Sequence, residues 1–499
     1  MKRLSIVILA VLVVAIMSIF TWGYNTLKTV EATVNGNIKV YCDNQQKILT
    51  DTDGSQLSPV VINGRTYLPI RSVAELSGLN VEWDSATQSI MLSSKNSSAP
   101  SPQNDTNSKK ELSLWHFYKD DGEAIVKSFN EAFPNIKVNL SIISDRNKLY
   151  QNRLTTAIKA GAGVPDVYAV ESAYTKEFID MPNAFADLTE KAKDYIGNMA
   201  PYTVEVGTDK NGTLRALSPD IMPVAMAYKK SVAKKYLGSD DPKLISAMLS
   251  LSQNLLSAAK VVKEKSGGKV ALFPGFEEIE KIYLGGRSQP WVVNNKLTID
   301  QKMLDFIDLA KTLRDNKYEA AIDQWSPAWS SAIADDEKAL FWECPSWGIP
   351  WIIGSEDKKA TEGGRWGLAK PQFQTFWGGT WYGIYSKSPK QDTAWEFLKN
   401  IATNKETMKK WAEDEQAIPN NLNIIAEGSP EDDKIVGTNL FKFFEPFIQD
   451  INGKILTKHD ESIERVYTEC LRSYLAGKIK TKEDMIKEFK NTVKMELGI

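Results

Sequence analysis

Cysteine is nearly absent from this 499-residue chain, which holds only Cys42, Cys344 and Cys470, far apart in sequence. So sparse and odd a set builds no disulfide framework, and without a C-x-x-C pair there is no zinc or redox motif. Histidine is scarcer still, with His116 and His459 alone, which argues against a His-rich metal site and against Ser-His-Asp or Cys-His catalysis. Basic residues gather into nothing larger than Lys-Lys pairs and the net charge is -2, so nucleic acid is a poor candidate partner. No cofactor, no metal and no catalytic set is expected.

Tryptophan, by contrast, is abundant and uneven. Trp325, Trp329, Trp342, Trp347, Trp351, Trp366, Trp377 and Trp381 are 8 of the 14 in the chain. Indole combines a rigid apolar face with an N–H at its edge, which suits a partner that is half apolar and half hydroxyl. A sugar ring is such a partner, with a C–H face to lie on an aromatic ring and a rim of hydroxyls for carboxylates and amides.

At this length two or three domains are expected. Lys2 and Arg3 precede a run from Leu4 to Trp22 without charge; ~19 residues at ~1.5 Å each span ~28 Å, close to bilayer thickness. The run is long for a signal peptide and closes on no clear cleavage site, and no lipid-attachment cysteine follows it. Residues 1–24 are therefore expected to be an uncleaved anchor holding the rest of the chain at the outer face of the cytoplasmic membrane. A cleaved signal peptide is the alternative.

Residues 31–93 have the signals of a small domain. Ile38-Lys39-Val40 and Pro59-Val60-Val61-Ile62 read as short strands, Asn35-Gly36 and Asn63-Gly64 as hairpin turns, and Arg71 to Gly78 as a helix. Pro59 to Arg71, followed by Ala74-Glu75-Leu76 and Val81-Glu82-Trp83-Asp84, closely resembles the copper amine oxidase N-terminal-like stalk domain of bacterial surface proteins. No histidine lies in residues 31–92, so neither copper nor oxidase chemistry is assigned; a spacer or a cell-wall contact is expected. Residues 94–110, rich in Ser, Asn, Pro and Lys, read as a flexible linker.

From residue 111 the pattern becomes α/β. Leu112 to Phe117 reads as a buried strand, Asp120 to Phe133 as a helix with Ile125, Val126 and Phe129 on one face, Ile136 to Leu140 as a strand, Tyr150 to Ala160 as a helix, and Val164 to Val170 as a strand ending at Glu171. That rhythm predicts a mostly parallel sheet with ligands beyond the C-terminal strand ends, here Tyr118-Lys119-Asp120 and Glu171-Ser172. Near the C-terminus, Ile463, Val466, Tyr467, Cys470, Leu471 and Tyr474 form one helical stripe closed by Gly477.

The strand with Trp115, the helix ending Phe129-Asn130-Glu131-Ala132-Phe133-Pro134, and Ala160 to Val167 resemble the extracellular solute-binding proteins of carbohydrate ABC importers. Ser218-Pro219-Asp220 before Ala227-Tyr228-Lys229-Lys230, Ser346-Trp347 before Trp366 to Pro371, and Gly378 to Ile384 before Ala394-Trp395-Glu396-Phe397-Leu398 agree in order, with Lys229 where the family usually has Asn. The resemblance spans Leu112 to about Leu497.

It implies an α/β periplasmic-binding-protein fold of two lobes, about 111–222 with 382–444 and about 223–378 with 448–499, closing on a solute. The chain would cross between them near Asp220 to Val224, Gly378 to Trp381 and Phe444 to Ile448. By position, Tyr118, Lys119, Asp120, Glu171 and Asp220 are expected on the first wall or the crossings. Glu343, Trp347, Trp377, Gly379 and Trp381 are expected from the second lobe and second crossing, with Trp325 and Trp329 rimming the cleft or packing under it. The implied partners are a carbohydrate, an oligosaccharide by the weight of tryptophan, and the permease subunits of an ABC importer. Two rivals stand beside this reading. A secreted glycoside hydrolase or lyase needs a pair of carboxylates that no motif marks, and a wall-binding surface protein would only adhere.

Overall fold

The computed structural model describes residues 32–42, 45–50, 55–62, 65–76, 79–84, 89–94, 111–362 and 364–499. The chain divides into two compact units, Met1–Asn104 and Asp105–Ile499. The expected anchor at Leu4 to Trp22, the linker beyond Ser94, the Asn63-Gly64 turn and the helix-ending Gly78 all lie outside the described residues. Among those described, no helix is long and apolar enough to cross a membrane.

The first unit is built of short antiparallel pairs. Val60–Ile62 and Arg65–Tyr67 pair with Ile62 opposite Arg65, a register that a two-residue connection produces. The helix occupies Ile70–Leu76, and Leu79–Asp84 pairs with Ser89–Ser94. One expectation is corrected. Asn35-Gly36 does not join two adjacent strands, because Thr33–Val34 pairs with Val60 and Val61 instead. The Asn35 carboxamide accepts the Asn37 amide, and this local bond makes a turn without making a hairpin.

In the second unit, β1 (Glu111–His116), β2 (Lys137–Ile142) and β3 (Val167–Glu171) are parallel, in the order β2-β1-β3. The intervening helices α1 (Lys119–Ala132) and α2 (Leu149–Ala160) supply the crossovers. Gly161 ends α2 in the left-handed conformation, at φ 66°, which a glycine adopts without a Cβ penalty. Side chains alternate along β3. Val167 and Ala169 join Ile125 and Phe129 beneath one face, while Tyr168 and Val170 join Tyr150 and Leu154 beneath the other. Burial on both faces explains why β3 reads as a continuous apolar run.

A second sheet is antiparallel throughout, with β4 (Val224–Lys229) central between β5 (Phe341–Pro345) and β6 (Trp366–Ala369). The chain then returns to the first sheet, where β7 (Thr380–Ile384) adds to β3 in antiparallel register. The two sheets are the centres of two lobes. Between them, residues 220–224 run beside 375–380: Trp377 N–H donates to the Met222 carbonyl and Val224 N–H to that of Thr375, both at 3.0 Å.

The lysine at the end of β4 is fully buried. Its ammonium donates to the carbonyls of Ala332 and Asp335 and lies 4.5 Å over the Trp342 ring. Burial pulls its pKa down to about 7.

Candidate functional site

A cavity of about 670 Å³ opens between the two lobes. One wall is the N-terminal turn of α3 (Ser172–Ile179), with Glu171, Ser172, Ala173 and Lys176. The facing wall comes from α4 (Glu277–Gly285) and α5 (Asp460–Leu475), and the passing segments 374–378 and 451–457 also line it.

Each element brings its side chains for a local reason. Glu171 precedes α3 as its N-cap, and its carboxylate accepts the Ala173 amide at 2.9 Å and the Ser172 hydroxyl at 2.6 Å, satisfying donors that a helix start leaves free. Its pKa is raised by burial, with those two bonds opposing. In α4 the acids Glu277, Glu278 and Glu280 occupy the first turn, where the helix dipole favours negative charge. The helix is nevertheless buried almost all round.

Charges on the facing wall are knitted together. Arg287 donates to Asp460 at 2.8 Å, Lys281 to Glu464 at 3.0 Å and Arg472 to Glu277 at 2.8 Å. Across the cleft, Lys148 beside α2 reaches Glu461 on α5 at 2.9 Å. Glu278 is used up internally, accepting from the Trp329 indole and from the Glu343 main-chain N–H. Burial raises Glu278 and Glu280 to about 8 and Glu343 well above its ordinary range. Glu280 Oε1, Arg287 Nη1, Gln324 Nε2 and both carboxylate oxygens of Glu343 are buried without a hydrogen-bond partner among the described residues.

Trp325 is the most exposed aromatic on the cavity, at 55%. It is held in the left-handed region at φ 64°, uncommon for a bulky residue and a feature that clusters at functional sites. Its ring lies 5.0 Å from that of Trp329, parallel to Trp347 at 6.5 Å, and edge-on to Trp377 at 5.8 Å. Trp347 fixes this group by donating its indole N–H to the Trp377 carbonyl at 2.8 Å.

Of the residues singled out from the sequence, Glu171, Trp325 and Trp377 line the cavity. Trp347 and Trp329 lie behind Trp325, and Glu343 lies behind the lining, its carboxyl interacting with Lys281, Gln324 and Glu280. Gly379 stands at the crossing with φ 101°, its carbonyl accepting the Ser172 amide.

The others are corrections. Trp381 is 1% exposed and donates its indole N–H to the Thr203 carbonyl at 2.9 Å; on β7 its side chain enters the core rather than the cleft. Tyr118, Lys119 and Asp120 are exposed around the start of α1, where Asp120 and Asp121 meet the helix dipole and the neighbouring Glu415 instead of the cavity. Asp220 is buried in the strand that pairs with Ile418–Pro419, its carboxyl raised to about 7 by burial and by Asp121. It too is off the cavity.

The sequence reading did not single out Glu280, Lys281, Arg287, Gln324, Asp460, Glu464 or Arg472. A charged run such as Glu277-Glu278-Ile279-Glu280-Lys281 has the composition of a solvated helix face, and nothing local marks it as buried.

Residues 50–100 match the copper amine oxidase N-terminal domain. No curated protein matches the chain. Among solved structures, an extracellular solute-binding protein of family 1 superposes with a TM-score of 0.69 at 17% identity, covering 76% of this chain and 99% of that one. The galacto-N-biose/lacto-N-biose I-binding protein of a Bifidobacterium longum ABC transporter, in complex with lacto-N-biose, gives 0.61 at 18% identity, covering 78% and 98%. The sugar-binding protein MalE of Xanthomonas citri gives 0.62 at 14%, covering 77% and 96%. These likenesses establish the fold. The model of the bacterial extracellular solute-binding proteins matches residues 124–438, more than half of the chain and including α3 and α4 on either side of the cavity, and the chain belongs to this family.

Proposed function

We propose that this protein captures a carbohydrate in the interlobe cavity and delivers it to the permease of an ABC importer at the outer face of the cytoplasmic membrane. Family membership makes it a non-catalytic solute binder, which leaves no role for the hydrolase alternative. The observation that carries the sugar reading is the juxtaposition of Trp325 and Trp377 with buried carboxylates on one cavity of about 670 Å³. Aromatic faces for C–H surfaces beside fixed acceptors for hydroxyls are what a pyranose demands. Lacto-N-biose is bound by a protein of the same fold.

In this reading Glu171, Trp325 and Trp377 touch the solute, while Trp347, Trp329 and Glu343 support them. The lobes are about 111–222 with 382–444 and about 223–378 with 448–499. Residues 1–24 tether the chain, residues 31–93 form a stalk acting as a spacer or wall contact, and residues 94–110 form the linker.

The test is a thermal-shift screen of the full chain against a carbohydrate panel. A ligand at 100 times its Kd adds about 2.7 kcal/mol of stability, a clear rise in Tm. The reading fails if no sugar in the panel moves the transition.

A further inference from the structure

The charges around the cavity do not balance. The cations that α4, its flank and α5 bring to the facing wall pair with other acids, Lys281 with Glu464, Arg287 with Asp460, Arg472 with Glu277 and Arg465 with Glu469, while Lys176 on the opposite wall donates to the Thr208 carbonyl. Against them stand four carboxyls with no ion-pair partner among the described residues: Glu171 and Glu280 on the lining, and Glu278 and Glu343 behind it. Glu171 and Glu278 spend their oxygens on internal donors.

Glu280 and Glu343 do not. One oxygen of Glu280 and both of Glu343 are buried without a hydrogen bond among the described residues, the residues being 5% and 1% exposed, with Lys281 near both and Gln324 beside Glu343. Burial without an ion-pair partner holds both glutamates as neutral acids near pH 6, and a cation with hydrogen-bond donors is what restores the carboxylate there. Neutral hydroxyls bring one hydrogen each and no charge, so they leave the acids protonated. An ammonium brings three N–H donors and the missing charge together. The aromatic lining adds to this, since the faces of Trp325 and Trp377 attract a cation as well as a sugar's C–H surface.

We propose that the captured solute carries a protonated amine, an amino sugar whose ammonium group is received by Glu280 from the cavity, with Glu343 behind it. This rests on the carbohydrate reading above and narrows it to a chemical class.

The test is isothermal titration of the full chain at about pH 6, where an aliphatic amine keeps its proton. The ligands are β-1,4-linked glucosamine oligosaccharides, their N-acetylated counterparts and the corresponding glucose oligosaccharides, which share a skeleton and differ in charge. The expected result is that the amine form binds at least about tenfold tighter than either neutral form, and that Glu280→Gln cuts this ratio severalfold. Glu343→Gln, read by the same ratio, serves if the first variant does not fold. Equal or tighter binding of a neutral form overturns the amine while leaving the carbohydrate function standing. Binding of none of the three overturns the amino-sugar assignment, and the carbohydrate function then stands or falls by the panel screen above. A preference that persists undiminished in the variants overturns the placement of the amine on this carboxylate pair.

Discussion

Two tryptophans fifty-six positions apart show what a residue's neighbourhood decides. Trp325 stands on the cavity with 55% of its surface exposed, whereas Trp381 is sealed at 1%. Trp325→Ala is expected to weaken solute binding by about 2 kcal/mol, the range of an aromatic anchor truncated to alanine, with little loss of stability. Trp381→Ala is expected to cost about 3–5 kcal/mol of stability, because it opens a void in the core, and its indole also satisfies the Thr203 carbonyl. Fluorescence titration and chemical denaturation on both variants check the pair; a Trp381→Ala protein of normal stability but poor affinity would reverse the assignment. Clustering in the sequence pointed to the cavity tryptophans Trp325 and Trp377 but did not separate them from Trp381. That separation depends on which face of β7 a side chain takes, and the face is set by pairing with β3 (Val170 opposite Trp381), a partner some 200 residues away.

At the level of elements, legibility followed periodicity. Strands β1 to β3 and helices α1, α2 and α5 were readable because their apolar spacing is regular, and the stripe from Ile463 to Leu471 is indeed buried. Helix α4 was not, since its acids look solvent-directed and their burial is created by β5 and α5 packing over them. The close fit of α4 can be probed at its C-terminal glycine. A Cβ on Gly285 would come 2.1 Å from the Thr375 hydroxyl oxygen, so Gly285→Ala must push the helix away from the segment that crosses between the lobes. We expect a loss of about 1–3 kcal/mol, the usual cost of overpacking, read from the denaturation midpoint. Unchanged stability would show that the crossing yields freely at this point.

For the molecule as a whole, opening and closing must make or break the contact between Lys148 and Glu461, at 2.9 Å the ion pair that reaches from the flank of the first sheet to α5. Both side chains are partly exposed, so the pair is worth at most about 1 kcal/mol. Lys148→Ala is expected to speed solute release a few fold in stopped-flow fluorescence at low salt. At about 1 M salt, where charges are screened beyond about 3 Å, the difference should vanish. A release rate equal to the parent's at low salt would remove this contact from the closing step. The same long-range connectivity has a consequence for timing. The first sheet waits for Thr380–Ile384 to reach β3, and the core around β4 waits for Val493, which is buried with Val224. A chain made from its N-terminus can therefore complete the first sheet only after Ile384 and the core around β4 only after Val493. The strand pairs of the first unit, all drawn from residues 33–94, can form long before, so during biogenesis the first unit is finished while the solute trap is still an open thread.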